Sequence, residues 1–391
     1  MIHPIPSGTR DVLPDETREL RAITDALRRV FERHGYGEIY TPALEYESVL
    51  AHAGIEGLGP VHRVFDDAGA ILVLRPDMTV PIARLVATRY PDVDGDGDED
   101  GDTGGDVDVV GNVGGHTSSP LRFCYFAHCY RGTRPQWSQP RELLQAGIEL
   151  IDSQAPGGTA EALTVLCDAL DATGLKDYRV GLGDASLFPT LMDRLDIDPS
   201  ARPSLLETLA SRDFVELAER LSAIGMPEES ASLLLSLPQR RGGPEVLNAD
   251  PGPAADAVDG MRQVSELLDS RVASRIIFDL GLVRSIGYYT GAVFEVYDPT
   301  LGTPIGGGGR YDELLGRFGA SRPAVGFALN VEQLHIALAG EERGTGLRLT
   351  PSEQPEGGPA GSAGSAGSRL TSGEESGAGS SEAGSSGSRL T

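Results

Sequence analysis

Residues 282–333, LVRSIGYYTGAVFEVYDPTLGTPIGGGGRYDELLGRFGASRPAVGFALNVEQ, constrain the fold more than any other stretch. Two runs of strand composition, 288–297 and 304–309, enclose a turn at 298–303, which predicts a β ribbon. A short helical pattern is expected at 311–318, followed by an apolar strand at 324–331. The ribbon carries a cation (Arg284), two phenols (Tyr288 and Tyr289) and a carboxylate (Glu295). Glycines beside them let a ligand or a second backbone come close. That is the composition of a small-molecule pocket.

The chain before this stretch alternates helices and strands. A helix is predicted over 14–34, capped by Asp15 or Thr17, with Leu20, Ile23, Leu27, Val30 and Phe31 at helical spacing. Gly35 stops it, and a strand over 36–41 ends at Pro42. Such a helix–Gly–strand–Pro unit serves as an edge or dimer contact, or is a plain strand end. A hairpin over 63–67 and 70–74 leads into RPDMT at 75–79, then a helix over 81–89. Asp77 has two readings: the cap of that helix, or, with Thr79, a reader of an ammonium group.

Strands over 121–130 and 141–152 flank the loop RGTRPQWSQP at 131–140. Its arginines suit bidentate binding of phosphate or carboxylate, and equally an ordinary solvated loop. Gln145 and Glu149 share one face of a strand, and Gly147 between them keeps that face open. Burying both without a polar partner is costly, which favours a ligand site. A helix over 157–173 and a strand over 178–182 follow. Helices over 186–225, 227–236 and 254–268 then form a helical insert at about 185–269 in an α+β domain.

A length of 391 residues allows a large core, and the formal net charge is −25. That charge repels nucleic-acid phosphate. Acids are spread along the chain and lysine is very scarce, a composition that points to a high-salt cytoplasm. Three cysteines, Cys124, Cys129 and Cys167, give no disulfide framework and no zinc spacing. The Asp/Gly-rich run at 91–120 lacks the glutamate of a calcium loop and is expected to be a disordered insert. The region after Leu338 turns to Gly, Ser and Glu and is expected to be a disordered tail over 339–391. No signal peptide, membrane span, metal site or cofactor is expected; the expectation is a soluble cytoplasmic protein.

SGTRDVLPDE, HGYGEIYTPALE, RPDMT, the arginine loop, QAGIEL and the YYTG–VFE–GGRYD stretch come in one order over roughly 5–338. In that order the chain resembles histidyl-tRNA synthetases and, equally, the synthetase-like regulatory subunits of ATP phosphoribosyltransferase. The resemblance implies a class II aminoacyl-tRNA synthetase-like antiparallel sheet flanked by helices. It also implies a histidine pocket at Asp77, Thr79, Arg131, Gln145, Glu149, Arg284, Tyr288 and Tyr289. Asp77, Thr79 and Gln145 would hold the α-ammonium, Arg131 or Arg284 the carboxylate, and Glu149 with a tyrosine hydroxyl the imidazole.

The adenylation groups depart from the synthetase pattern. The motif 2 glutamate is Thr133, the following Gly-Arg is Ser138-Gln139, and the motif 3 arginine is Gln333. RGLDYY reads Arg284-Ser285-Ile286-Gly287-Tyr288-Tyr289. Glutamine offers neither the charge nor the plane of a phosphate clamp. The Gly/Ser tail stands where an anticodon-binding domain is expected. The resemblance therefore implies a non-catalytic regulatory subunit that joins the short-form catalytic subunit as a homodimer within a hetero-oligomer and confers histidine feedback. The alternatives are a divergent or truncated synthetase, and a synthetase paralogue that binds another small molecule or acts as a scaffold.

Overall fold

The structure, a computed structural model, describes residues 4–54, 60–90, 119–132, 140–248, 252–284 and 287–346. These belong to one unit, Met1–Leu347. The acidic run at 91–118 and the expected tail from Arg348 lie outside the described residues.

The first helix, α1 (Pro14–Arg33), begins on Pro14, whose fixed φ suits the first helical position. Leu20, Ile23, Leu27, Val30 and Phe31 are buried along its inner face, as their spacing predicts. The expected side-chain cap does not form. Pro14 makes Leu13 the capping residue, and the Thr17 hydroxyl instead donates to the Leu13 carbonyl at 2.9 Å.

After α1 come β1 (Gly37–Glu38), β2 (Leu44–Tyr46), α2 (Glu47–His52), β3 (Arg63–Phe65), β4 (Ile71–Leu74) and α3 (Thr79–Arg89). Next are β5 (Leu121–Tyr130), β6 (Glu142–Ile151), α4 (Gly157–Thr173) and β7 (Arg179–Asp184). The helical insert contains α5 (Leu187–Arg194), α6 (Arg202–Ser211), α7 (Phe214–Ala223) and α8 (Glu228–Ser236). Then follow β8 (Arg241–Gly242), α9 (Ala255–Leu267), α10 (Ser270–Ala273) and β9 (Ile276–Asp279). The chain continues through β10 (Ala292–Tyr297), β11 (Gly306–Arg310), β12 (Ala324–Asn330) and α11 (Val331–Gly346).

The main sheet has the order β1-β5-β6-β12-β11-β10-β7-β9-β8, and β2-β4-β3 form a small second sheet. The expected antiparallel sheet is in fact mixed, because β1–β5 and β7–β9 pair in parallel. Both parallel pairs join strands separated by long connections, which is what parallel pairing requires. The two faces bury different cores. Ala146, Ile148 and Leu150 of β6 meet α1 and α4, where Phe31 lies 5.9 Å from Phe126 and 6.0 Å from Phe327. The opposite face, with Phe123, Tyr125 and Cys129 of β5, packs against α3 and residues 288–318. Strand alternation produces this division.

The expected helix at 311–318 is only a 3-10 turn, Leu315–Arg317. Tyr311 extends the sheet by donating its backbone N–H to Ala324 at 2.8 Å, and the Asp312 carboxylate accepts the Ala324 N–H at 3.0 Å. At the other end, α11 continues past Leu338, the expected limit of the folded part. The Glu341 carboxylate fastens it by accepting the backbone N–H groups of Lys176 at 3.0 Å and Asp177 at 2.7 Å.

The three cysteines are free and buried. Among the described residues there is no cluster of metal-ligating side chains, and no helix is long and apolar enough to cross a membrane. Leu27 is fully buried, so Leu27→Ala should cost about 2–5 kcal/mol in urea unfolding. Leu13 is 68% exposed, and Leu13→Ala should stay within about 0.5 kcal/mol of the parent. Equal effects would contradict the packing of α1.

Candidate functional site

The register of four strands assembles one face. Gln145, Gly147 and Glu149 of β6 oppose Asn330, Ala328 and Gly326 of β12. Ala328 and Gly326 oppose Gly307 and Gly309 of β11, and Gly307 opposes Glu295 of β10. The middle of this face is therefore a floor almost without side chains. At Gly307 a Cβ would overlap the Arg284 guanidinium, and at Gly326 it would overlap the Glu149 carboxylate. The glycines let those two side chains lie close against the sheet.

A cavity of about 260 Å³ opens over the floor. Seven of the eight residues proposed from sequence line it: Asp77, Thr79, Arg131, Gln145, Arg284, Tyr288 and Tyr289. Tyr125, Glu295, Tyr311 and Asn330 complete its polar wall. Glu149 is not among the lining residues; it lies one layer behind, 1% exposed. There it accepts the Thr79 hydroxyl at 2.8 Å and the Tyr311 hydroxyl. Burial pushes its carboxyl up to about 8 despite both hydrogen bonds, so it is protonated at neutral pH. The polar partners that a buried Glu149 needs are thus supplied from within the protein.

Asp77 stands just before α3, and both of its readings have a basis in the structure. Its Oδ1 accepts the Val80 N–H at 3.4 Å, a weak cap, while the capping position proper is Met78. Its Oδ2 is buried and has no hydrogen-bond partner among the described residues. Burial pushes this carboxyl up to about 6, against the opposing pull of the Val80 N–H and the Arg131 charge. Arg131 is steadied by donating to the Pro76 carbonyl at 3.2 Å. The Cys129 thiol donates to Gln145 Oε1 at 3.1 Å.

On the far wall, Arg284 donates to the Phe294 carbonyl at 3.2 Å and pairs with Glu295 at 3.3 Å. Its guanidinium lies 5.6 Å from the Tyr289 ring centre. The rings of Tyr288 and Tyr289 are 4.8 Å apart, and Tyr311 meets Tyr288 edge-on at 5.7 Å. Carboxylates, guanidiniums, an amide and phenols surround one small space, a lining that offers acceptors to a cation and donors to an anion.

Sequence reasoning did not place Tyr125, Tyr311 or Asn330 at the site, and it noted Glu295 only as a ribbon carboxylate. Strand alternation could have found Tyr125, which opposes Gly147. The GGRYD motif contains Tyr311, but the expected helix there hid its direction. Gln333 is not among the cavity residues; it sits in the first turn of α11, where Asn330 Oδ1 accepts its backbone N–H at 3.0 Å. Thr133, Ser138, Gln139, Ser285 and Ile286 lie outside the described residues.

The histidyl-tRNA synthetase family profile matches residues 8–95 and 114–334. An ATP phosphoribosyltransferase regulatory subunit from Desulforamulus reducens is 37% identical over 337 residues, covering 85% of this chain and 78% of its own. The chain belongs to the family of ATP phosphoribosyltransferase regulatory subunits. Another member, from Symbiobacterium thermophilum, is 36% identical over 85% of this chain and 79% of its own. A solved ATP phosphoribosyltransferase regulatory subunit/histidyl-tRNA synthetase from Bacillus halodurans superposes with a TM-score of 0.74 at 30% identity. That match covers 86% of this chain and 84% of the other. A histidyl-tRNA synthetase from Nostoc sp. shares the fold, with a TM-score of 0.67 at 21% identity, covering 88% of this chain and 76% of its own. The Bacillus halodurans protein thus shares the synthetase-like α+β fold seen here.

The buried Glu149 makes stability depend on pH. The unfolded chain releases this proton near its ordinary value of 4.5, whereas the folded chain holds it to about 8. Over that window the unfolded state binds fewer protons, so this group lowers stability as pH rises. Glu149→Gln removes the penalty. The melting temperature of the variant should gain on the parent between pH 5 and pH 8, by roughly 2–4 °C per kcal/mol. Parallel pH profiles would contradict a buried, protonated Glu149.

Proposed function

We propose that this chain is the non-catalytic regulatory partner of an ATP phosphoribosyltransferase catalytic subunit of the short form. In this role it is required for activity and brings feedback control by L-histidine to the first step of histidine biosynthesis. The family membership supports the association. The observation that carries the histidine reading is the buried Asp77 Oδ2, which has no partner among the described residues and belongs to a residue that lines a cavity also bordered by two guanidiniums. A desolvated carboxylate of this kind is satisfied by an ammonium group.

In this reading Asp77, Thr79 and Gln145 take the α-ammonium, and Arg131 or Arg284 takes the carboxylate. The tyrosine hydroxyls face the imidazole, and Glu149 acts from behind by fixing Thr79 and Tyr311. Histidine then shifts the equilibrium between assembled states only through its different affinity for them.

The chain is also proposed to form a homodimer within the hetero-oligomer. The exposed face of the small sheet, with Tyr46 and Val64 flanking Leu72, supports this. An apolar face is where two copies, each of charge −25, approach with least repulsion. The net charge and scarce lysine support work in a high-salt cytoplasm and disfavour nucleic acid as a partner.

The test is an ATP phosphoribosyltransferase assay at high salt, with the catalytic subunit alone and with this chain, each with and without histidine. Activity and histidine sensitivity should both require this chain; a catalytic subunit fully active and histidine-sensitive alone would falsify the proposal. Histidine-dependent pyrophosphate exchange by the chain alone would instead mark a synthetase. Asp77→Asn should weaken histidine binding at least about tenfold by calorimetry. Asp77 becomes neutral as pH falls through about 6, and the ligand imidazole gains a proton in the same range, so the parent should lose more histidine affinity between pH 7.5 and pH 5 than Asp77→Asn does. An equal loss in both would remove Asp77 from the ammonium site.

A further inference from the structure

The helical insert carries none of the recognised motifs, yet one of its residues reaches Asp279, five positions before the cavity residue Arg284. Arg212 ends α6 with φ 56°, a left-handed conformation that glycine adopts without strain and arginine does not. From there its guanidinium donates to Asp279 Oδ2 at 2.6 Å. Asp279 is 1% exposed at the end of β9, and Arg241 adds a second, longer pairing at 3.6 Å.

Asp279 in turn shapes the start of the segment that leads to Arg284, Tyr288 and Tyr289. Its Oδ1 accepts the Gly281 N–H at 3.0 Å and its carbonyl accepts the Leu282 N–H at 3.1 Å. A second route reaches the same arginine across the sheet. Arg241 lies over the Tyr297 ring at 5.5 Å, the Tyr297 hydroxyl donates to Glu295 at 2.6 Å, and Glu295 pairs with Arg284 at 3.3 Å. The first route fixes the backbone up to two residues before Arg284, and the second ends on its guanidinium at the cavity.

We infer that Arg212 is a positioning residue for the ligand cavity, acting through Asp279 on the segment that carries Arg284. The insert thereby becomes part of the binding site without touching the ligand. Anything that moves α6 changes the aim of Arg284, and by linkage a ligand carboxylate held by Arg284 biases the insert. The ligand half of this inference rests on the histidine reading above; the mechanical half does not.

Arg212→Gly is the informative variant. It relieves the backbone strain, which favours folding, while removing the guanidinium. Hydrogen exchange on the ligand-free full chain should rise roughly fivefold or more in residues 280–284 and 287–290, with α4 unchanged. Arg212→Lys, which retains the charge, should restore slow exchange.

In calorimetry Arg212→Gly should weaken L-histidine about tenfold and histidinol, which lacks the carboxylate, less than about twofold. Unchanged exchange at 280–290, an equal rise throughout the chain, or equal weakening of both ligands would overturn the inference. A parent protein that binds neither ligand would overturn the histidine reading alone, since the exchange measurement needs no ligand.

Discussion

Burial of carboxylates is the constraint on which the rest of this structure depends. Asp77, Glu149 and Asp279 are all removed from water, and each removal is costly unless a partner or a proton answers it. The protein meets the three differently. Asp279 receives two arginines and a backbone N–H. Glu149 receives two hydroxyls and keeps its proton. Among the described residues, Asp77 receives one weak backbone hydrogen bond, and its second oxygen has no partner. Asp298 also has a buried oxygen without a partner among the described residues, but of the two acids only Asp77 lines the cavity.

The same logic organises the surroundings. The small sheet runs straight from β4 into the segment that ends at Asp77 and Thr79. Arg75 within that segment donates to the Thr41 carbonyl at 2.7 Å and the His128 carbonyl at 2.9 Å. Glu45 of β2 pairs through both oxygens with Arg84 of α3, at 2.7 and 2.8 Å. These ties fix the Asp77 side of the cavity to the sheet, while Asp279 and Glu295 fix the Arg284 side. The site is thus held between two independently anchored walls.

Much of this was legible in the sequence where local chemistry decides the outcome. The helix Gly157–Thr173 falls where its pattern places it. The two-residue period of a strand puts Gln145 and Glu149 on one face, and they are found there. Long-range facts were not legible. Strand direction at β1 and β7 depends on connections, so the mixed sheet could not be read from composition. The four residues of β9 are too few to show a period. The depth of Glu149 depends on Gly326, far along the chain, and its hydroxyl partner Tyr311 lies in a segment that resembles a helix start. Glu295 was visible as a carboxylate on the ribbon, but its pairing with Arg284 required the register. Arg212 gave no signal at all, since its role comes from a backbone conformation and a partner in another element.

The glycine strand β11 has a consequence for when the site exists. A run of glycines brings little β-propensity and no side-chain packing of its own. Its register is imposed from outside, by β10 on one edge and β12 on the other, and β12 is itself placed by β6. The cavity floor therefore combines two local pairings, β10–β11 and β11–β12, with the distant pairing of β12 on β6, which carries the larger loop-closure cost. A form without the β6–β12 pairing lacks the complete floor. A ligand of this cavity stabilises only the completed sheet, which makes ligand occupancy a report on the integrity of the whole fold as well as on ligand concentration.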